Sequence, residues 1–430
     1  MNKSKKSCLK KKFDVLQKAR KVKGTNDLFG NEILYHNQIK SCFDKICTSF
    51  NFKEISTPIL EHSEIFTKSL GISSDIVLKE MYSFVDKGND HLVLRPEGTA
   101  ATARAVITNS LEQETNKLFY KGPMFRREKP QSGRLRQFHQ VGVEYLGSEN
   151  YVKDLEIIII AENFLKELGI RDKVTFEINS LGNDESRKKY NCALKEFLKK
   201  NANKLSDSSK ERLEKNPMRV LDSKDPQDQA LIKKSPSILD FLDLESKDFF
   251  KDVVNSLDKM KINYKLNRFL VRGLDYYNHT AFEYITREQK SQNALLAGGR
   301  YNGLVKSLGG SDLAGVGWAA GIERIVMNLE KIIDNNSKII CFFTTTADLD
   351  KELLKVISDI KLKSNIKINL INSGSLKKKF VKANKVGAHG CIILGENEWE
   401  SKKVIWKDFA SGQQELIDLV RIEEFFSNKF

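Results

Sequence analysis

The stretch Phe125-Arg126-Arg127-Glu128-Lys129-Pro130-Gln131-Ser132-Gly133-Arg134-Leu135-Arg136-Gln137-Phe138-His139-Gln140 reads as a hairpin. Lys117–Tyr120 before it and Gln137–Tyr145 at its end have the composition of strands, and Pro130 and Gly133 break the chain between them. Four arginines, at 126, 127, 134 and 136, sit in and beside that turn. A guanidinium is a planar, permanently charged fork that grips two phosphate or carboxylate oxygens at once. An arginine beside an aromatic ring such as Phe138 can hold a phosphate while the ring stacks a base. A solvated basic hairpin would carry the same residues, so the cluster alone leaves both readings open.

N-terminal to it, Ile33, Leu34, Ile39, Phe43, Ile46, Cys47 and Phe50 recur at helical spacing over residues 30–50. Phe52–Leu60 then alternates into a strand around Pro58, His91–Leu94 reads as a strand and Ala100–Ile107 as a helix. C-terminal to it, a long helix over Glu149–Leu168 precedes a strand at Val174–Ile178. Residues 186–250 are rich in Lys, Ser, Asp and helix formers, with prolines at 217, 226 and 236, and are expected to form a helical insertion. Strands are expected again at Phe269–Val271 and Ala281–Ile285, then a Gly-rich loop from Gly298 to Gly317 and a helix over Ala319–Leu329. Helices and antiparallel-looking strands without regular βαβ alternation indicate an α+β fold. Past a polar linker at Asp334–Ser337, strands at Ile339–Thr344, Ile366–Ile371 and Cys391–Leu394 alternate with helical patterns at 350–362 and 375–385, a compact α/β unit.

Composition narrows the class. The chain of 430 residues is 40% hydrophobic and 30% charged, which excludes collagen, mucin and disordered-tail architectures. Its richest apolar run, Leu155–Ala161, is broken by Glu156 and ends at Glu162, far short of the ~20 residues a membrane span needs. The net charge of +15 favours a polyanionic partner. Residues 1–23 hold ten Lys/Arg against Asp14, a basic arm; a mitochondrial transit peptide would be richer in Arg and Ser. Cysteines 8, 42, 47, 192, 341 and 391 include no C-x-x-C pair, which indicates reduced thiols and a cytoplasmic setting. The six histidines are scattered, and no zinc site emerges.

Three further segments carry chemistry. Leu94-Arg95-Pro96-Glu97-Gly98-Thr99 sets a carboxylate and a hydroxyl at a strand-to-helix turn, suited to an ammonium group or, equally, to a helix cap on Thr99. Val271-Arg272-Gly273-Leu274-Asp275-Tyr276-Tyr277-Asn278 crowds an arginine and two tyrosines at one strand end, as a site or a buried aromatic pair would. Ala297-Gly298-Gly299-Arg300-Tyr301 and Gly315-Val316-Gly317-Trp318-Ala319-Ala320-Gly321-Ile322-Glu323-Arg324 have neither dinucleotide-fold spacing nor a G-x-x-x-x-G-K-[ST] loop. Their small residues let strand and helix pack closely, with Arg324 aimed at whatever lies over the sheet.

Together, in this order, these stretches resemble the three signature motifs of class II aminoacyl-tRNA synthetases, most specifically the histidyl-tRNA synthetase family. Residues 30–60, ending at Pro58, look like the first motif, the arginine hairpin like the second and Gly317–Arg324 like the third. Arg272–Tyr277 and Ala297–Tyr301 are similar to segments peculiar to the histidine family. The resemblance runs from Gly24 to the C-terminus and leaves residues 1–23 outside. It implies an antiparallel sheet flanked by helices as the catalytic domain (24–185 and 251–330), with the helical insertion at 186–250. It also implies a C-terminal α/β anticodon-binding domain (338–430) and a homodimer built partly on the first motif.

That family joins an amino acid to ATP as an aminoacyl-adenylate, then esterifies the terminal adenosine of tRNA. Attack of a carboxylate on the α-phosphorus brings two anions together, so fixed cations are needed more than a nucleophile. By resemblance, Arg126 would grip the amino-acid carboxylate and the α-phosphate, Phe138 would lie under adenine with Arg324 over it, and Arg272 would be the catalytic arginine. Glu144 and Tyr277, with Tyr276 beside them, would bond the imidazole of L-histidine; Glu97, Thr99 and Gln140 would hold its α-amino group. Mg2+ would accompany ATP, with no ligands assigned. For tRNA(His), the candidates are Gln131 and Arg136 on the hairpin and Lys377, Lys378 and Lys382 on the expected helix.

Lys361–Lys385 contains eight lysines and no acid, five of them on that helix (Lys377, Lys378, Lys379, Lys382 and Lys385). Such charges fit phosphate contacts, or simply a solvated face. The closest alternative is the synthetase-like regulatory subunit of a phosphoribosyltransferase, which charges no tRNA. It lacks the anticodon domain and degrades the signatures, and this chain keeps both.

Overall fold

Helix α1 (Asn31–Ser49) forms because apolar side chains return every three or four positions, burying Ile39, Phe43, Ile46 and Cys47 along one stripe. The computed structural model describes residues 19–71, 74–131, 133–287, 294–330, 338–360 and 366–430. Most of the expected basic arm, the polar linker, Lys361 and Lys363 lie outside the described residues.

After α1 come β1 (Lys53–Glu54) and β2 (Leu60–His62), where one strand over Phe52–Leu60 was expected. Pro58 has no N–H to give a ladder, and on either side of it the chain joins different sheets. Helix α2 (Ser63–Leu70) and a π-helical turn at Ile76–Glu80 lead to β3 (Tyr82–Val85) and β4 (His91–Leu94). These make a small antiparallel sheet in the order β2-β4-β3. Helix α3 (Thr99–Thr108) precedes the long hairpin of β5 (Asn116–Phe125) and β6 (Gln137–Leu146), followed by α4 (Val152–Glu167) and β7 (Val174–Ser180).

Between β7 and β8 (Lys265–Leu266) lie α5 (Asp184–Lys200), α6 (Asp207–Lys215), a 3-10 turn at Pro217–Asp222, α7 (Pro226–Ile232) and α8 (Leu244–Lys259). Pro217 and Pro226 each stand in the first turn of a helix, where a missing N–H is no loss. Then follow β9 (Asn278–Thr286), β10 (Ala294–Arg300), the single turn α9 (Leu304–Ser307), β11 (Gly315–Gly321) and α10 (Ile322–Val326).

Two expectations are corrected here. Phe269–Val271 is not a strand: residues 267–277 run as a loop whose carbonyls are bonded by side chains, such as Leu270 O by Asn179 Nδ2 at 3.0 Å. The glycine-rich run is not simply a loop: β10 and β11 pair antiparallel from Leu296↔Ala320 to Arg300↔Val316, and the following helix starts only at Ile322.

The main sheet has eight strands in the order β1-β5-β6-β11-β10-β9-β7-β8, antiparallel except for short parallel pairs at each edge. The two-residue period of a strand sorts its side chains. Val141, Val143 and Tyr145 of β6 and Val316 and Trp318 of β11 pack with Phe43 of α1 and Phe164 of α4, whose ring stacks on Trp318 at 5.9 Å. The intervening β6 residues, Phe138, Gln140 and Glu144, take the opposite face, where α3 and the helices after β7 cover a second core.

Residues 333–430 form a separate unit. It comprises β12 (Lys338–Thr344), α11 (Asp350–Asp359), β13 (Ile366–Leu370), α12 (Leu376–Lys385), β14 (Gly390–Leu394), α13 (Glu396–Glu400), β15 (Lys403–Asp408), β16 (Gln414–Asp418) and α14 (Ile422–Lys429). Strand β12 pairs parallel with β13 and β14, and the hairpin β15–β16 adds two antiparallel strands that were not anticipated.

Candidate active site

In the first unit the β5–β6 hairpin, the start of α3, the 267–277 loop and the β10–β11 pair enclose a cavity of about 340 Å³. Arg126 follows β5 and reaches back to donate from Nε to Pro96 O at 2.9 Å, which leaves its guanidinium 5.4 Å from the Phe138 ring centre. Arg324, on α10, is fixed by an Nη1 bond to Ala294 O at 2.7 Å. Burial, then the charges of Arg134 and Arg126, lower its pKa. Arg272 enters from the loop, paired with Glu283 of β9 and 5.3 Å from the Tyr277 ring centre. Three guanidiniums therefore face one space.

The acids are held differently. Glu97 accepts from the backbone N–H groups of Thr99 and Ala100, each at 2.7 Å, so it caps α3 itself. Burial raises its pKa. Thr99, expected as the cap, turns its hydroxyl to donate to Glu144 Oε1 at 2.6 Å. Glu144 is 1% exposed and lies behind the cavity wall; its other oxygen accepts from Tyr301 Oη at 2.5 Å. Burial is the main force that pushes its carboxyl up to about 8. The bare strand beside it is a requirement: a Cβ on Gly317 would overlap the Glu144 carboxylate.

Tyr276 and Tyr277 stack at 4.6 Å, with Tyr301 edge-on to Tyr276 at 5.7 Å. Gln140 Oε1 is a buried acceptor, and Arg272 Nε a buried donor, with no hydrogen-bond partner among the described residues. Both residues line the cavity.

Other candidates lie elsewhere. Gln131 is exposed, and Arg136 lines a second cavity with Lys23, Lys79, Arg127 and Lys129. Lys377, Lys378 and Lys382 are exposed on α12 of the other unit, Lys382 donating to Ser373 O at 2.8 Å. Lys379 does not share that face: it is 4% exposed and donates to Thr344 O at 2.9 Å, because it follows the apolar stripe that includes Ala383.

Four contributors were missed as site residues: Tyr301, Glu283, Glu323 and Arg219. Glu323 accepts from His139 N at 3.0 Å with both oxygens, and meets His139 Nδ1 at 2.8 Å. It thus ties α10 to the strand between Phe138 and Gln140. His36 of α1 packs edge-on against His139 at 5.0 Å, so the fold gathers a His-His-Glu group that scattered histidines did not foretell. The available signal was strand parity, which turns His139 away from its two neighbours.

Comparison with known proteins agrees with this arrangement. The family model "Histidyl-tRNA synthetase" matches residues 24–325, and "Anticodon binding domain" matches residues 337–429. The histidine–tRNA ligase of Rhodospirillum rubrum is 42% identical over 407 residues, covering 94% of this chain and 98% of that one. That of Streptococcus pneumoniae strain P1031 is 41% identical over 96% of this chain and 98% of its own. The crystal structure of apo Staphylococcus aureus histidyl-tRNA synthetase superposes with a TM-score of 0.78 at 32% identity, covering 95% of this chain and all of that one. The chain belongs to the histidyl-tRNA synthetase family.

Proposed function

We propose that this chain is a cytoplasmic, ATP-dependent histidine–tRNA ligase. A histidine carboxylate oxygen attacks the α-phosphorus of ATP and expels pyrophosphate. A hydroxyl of the terminal adenosine of tRNA(His) then attacks the activated carbonyl and expels AMP. The observation that carries the reading is the pairing, in one cavity, of three guanidiniums with an orphaned acceptor at Gln140 Oε1 and an orphaned donor at Arg272 Nε. An ammonium group satisfies the first and a phosphoryl or carboxylate oxygen the second.

In this reading Arg126 and Arg272 stabilise the negative charge that grows at phosphorus, without reorganising at the moment of reaction. Phe138 and Arg324 take the adenine. Gln140 and Thr99, beside the capped Glu97, take the α-amino group. Glu144 and Tyr277, with Tyr276, take the imidazole, and a site with buried polar partners rejects apolar side chains because those partners would go unpaired. Magnesium keeps most of its waters and takes one or two carboxylates. Glu80 and Glu128 line the cavity and fit it: burial, then the Glu128 charge, raises the Glu80 acid, a strain that a hard cation relieves. Bound there with ATP, the ion would neutralise phosphate charge.

The second unit would bind the anticodon stem, with Lys377, Lys378 and Lys382 on phosphates, while Gln131 and Arg136 would meet the acceptor end. The match of residues 337–429 to an anticodon-binding model supports a ligase over a regulatory subunit. A homodimer is supported by the apolar side chains left exposed around the small sheet, Ile59, Leu60, Phe84 and Val85. For the cytoplasm, the five described cysteines are free thiols, and no described helix is long and apolar enough to cross a membrane. Labelled histidine offered with ATP and a tRNA(His) transcript should become attached to the tRNA; persistent absence of charged tRNA with active transcript would overturn the assignment.

A further inference from the structure

The loop that carries Arg272, Tyr276 and Tyr277 belongs to no sheet and no helix. Its backbone carbonyls are therefore not held by a ladder, and something else must fix them. The helical segment between β7 and β8 does so. Arg187 of α5 donates from Nη1 to Tyr277 O at 2.9 Å and from Nη2 to Asp275 O at 3.2 Å. Arg219, in the 3-10 turn, donates from Nη2 to Gly273 O at 3.1 Å and to Asp275 Oδ1 at 3.0 Å. Asn216 Nδ2 adds a bond to the same Asp275 oxygen at 3.2 Å. Arg219 is largely buried, its side chain 13% exposed, and it forms part of the cavity wall.

We infer that Arg187 and Arg219 are positioning residues, through which the helical insertion sets the catalytic loop. They act by holding the carbonyls on both sides of Leu274, so that Arg272 meets the α-phosphate and the two tyrosines meet the imidazole. The inference rests on the ligase reading of the cavity. A guanidinium suits the task because its fixed fork bonds two acceptors at once, which a lysine ammonium cannot do with the same geometry. Displacing such a loop by about 1 Å is enough to lose on the order of 100-fold in rate.

The test is steady-state ATP–pyrophosphate exchange on the full chain, comparing Arg219→Ala, Arg272→His and the double variant. Arg219→Ala should lower kcat about 30-fold and raise KM for histidine, with KM for ATP within about twofold. In the Arg272→His background the same change should lower kcat by less than about threefold, since the group it positions is already gone. Equal fold losses in both backgrounds, or a rise confined to KM for ATP, would overturn the inference. Should Arg219→Ala fail to fold, Arg219→Lys keeps the charge without the fork and should lose about fivefold in kcat; wild-type kcat would refute the positioning role. Arg187→Lys is expected to behave in the same way. If Arg272→His itself keeps full exchange, the ligase reading of the loop fails as well; if only Arg219→Ala is silent, the inference alone fails.

Discussion

At the scale of single residues, the assignment turns on charges that cannot be neutralised and on one acid that is. Arg272 has an unpartnered Nε in the cavity and a fixed carboxylate, Glu283, behind it. Arg272→His should cut histidine-dependent pyrophosphate exchange by about 100-fold, roughly 2.7 kcal/mol of transition-state stabilisation; activity within threefold of wild type would remove the role. Glu144→Gln keeps the shape but not the ionisable proton. KM for histidine should rise about 10-fold or more, since a hydrogen bond to a charged group contributes ~1.5–3 kcal/mol, while KM for ATP holds. An unchanged KM for histidine would reassign Glu144.

The same substitution has a signature in stability. Glu144 holds its proton to about pH 8 when folded, against 4.5 ordinarily, so the folded chain binds more protons and loses stability as pH rises through that window. The melting point of Glu144→Gln relative to wild type should therefore climb between pH 5 and 8; a flat difference would contradict the raised acid. Phe138, Gln140 and Glu144 were legible because they fall on one parity of a strand. Tyr301 and Glu323 were not, since their partners Glu144 and His139 lie 157 and 184 residues away, where no local pattern reaches.

At the scale of elements, helices and turns declared themselves and bare strands did not. α1 and α4 have full apolar stripes, and the hairpin has its Pro and Gly. β10 and β11 were mistaken for a loop because glycine disfavours strands, yet here the missing side chains make room for Glu144 and Tyr301. Phe269–Val271 has strand-like composition, but the strand beside β7 is the two-residue β8, just upstream. The link from α10 to β6 through Glu323 is an element-level contact with a measurable weight. Glu323→Ala leaves His139 N–H and Nδ1 without their acceptor and should lower unfolding free energy by about 1–3 kcal/mol in urea titration; a wild-type midpoint with unchanged slope would count against it.

At the scale of the whole molecule, the two units have separate cores, one pair around the main sheet and another around β12 and β14. The cavity is assembled entirely within the first. Deleting residues 338–430 should abolish tRNA charging while leaving adenylate formation within about tenfold, because the deleted unit supplies affinity for tRNA and no group to the chemistry. Parallel loss of both reactions would make the second unit a structural support. The division at the linker and the α+β character of the first unit were readable from composition and periodicity, whereas the enclosure of the cavity by the helical insertion needed three-dimensional contacts. The central claim meets its most direct test in pyrophosphate exchange screened over all twenty amino acids with magnesium and ATP in the absence of tRNA. Histidine alone should support exchange; no exchange with histidine, or equal exchange with another amino acid, would contradict it.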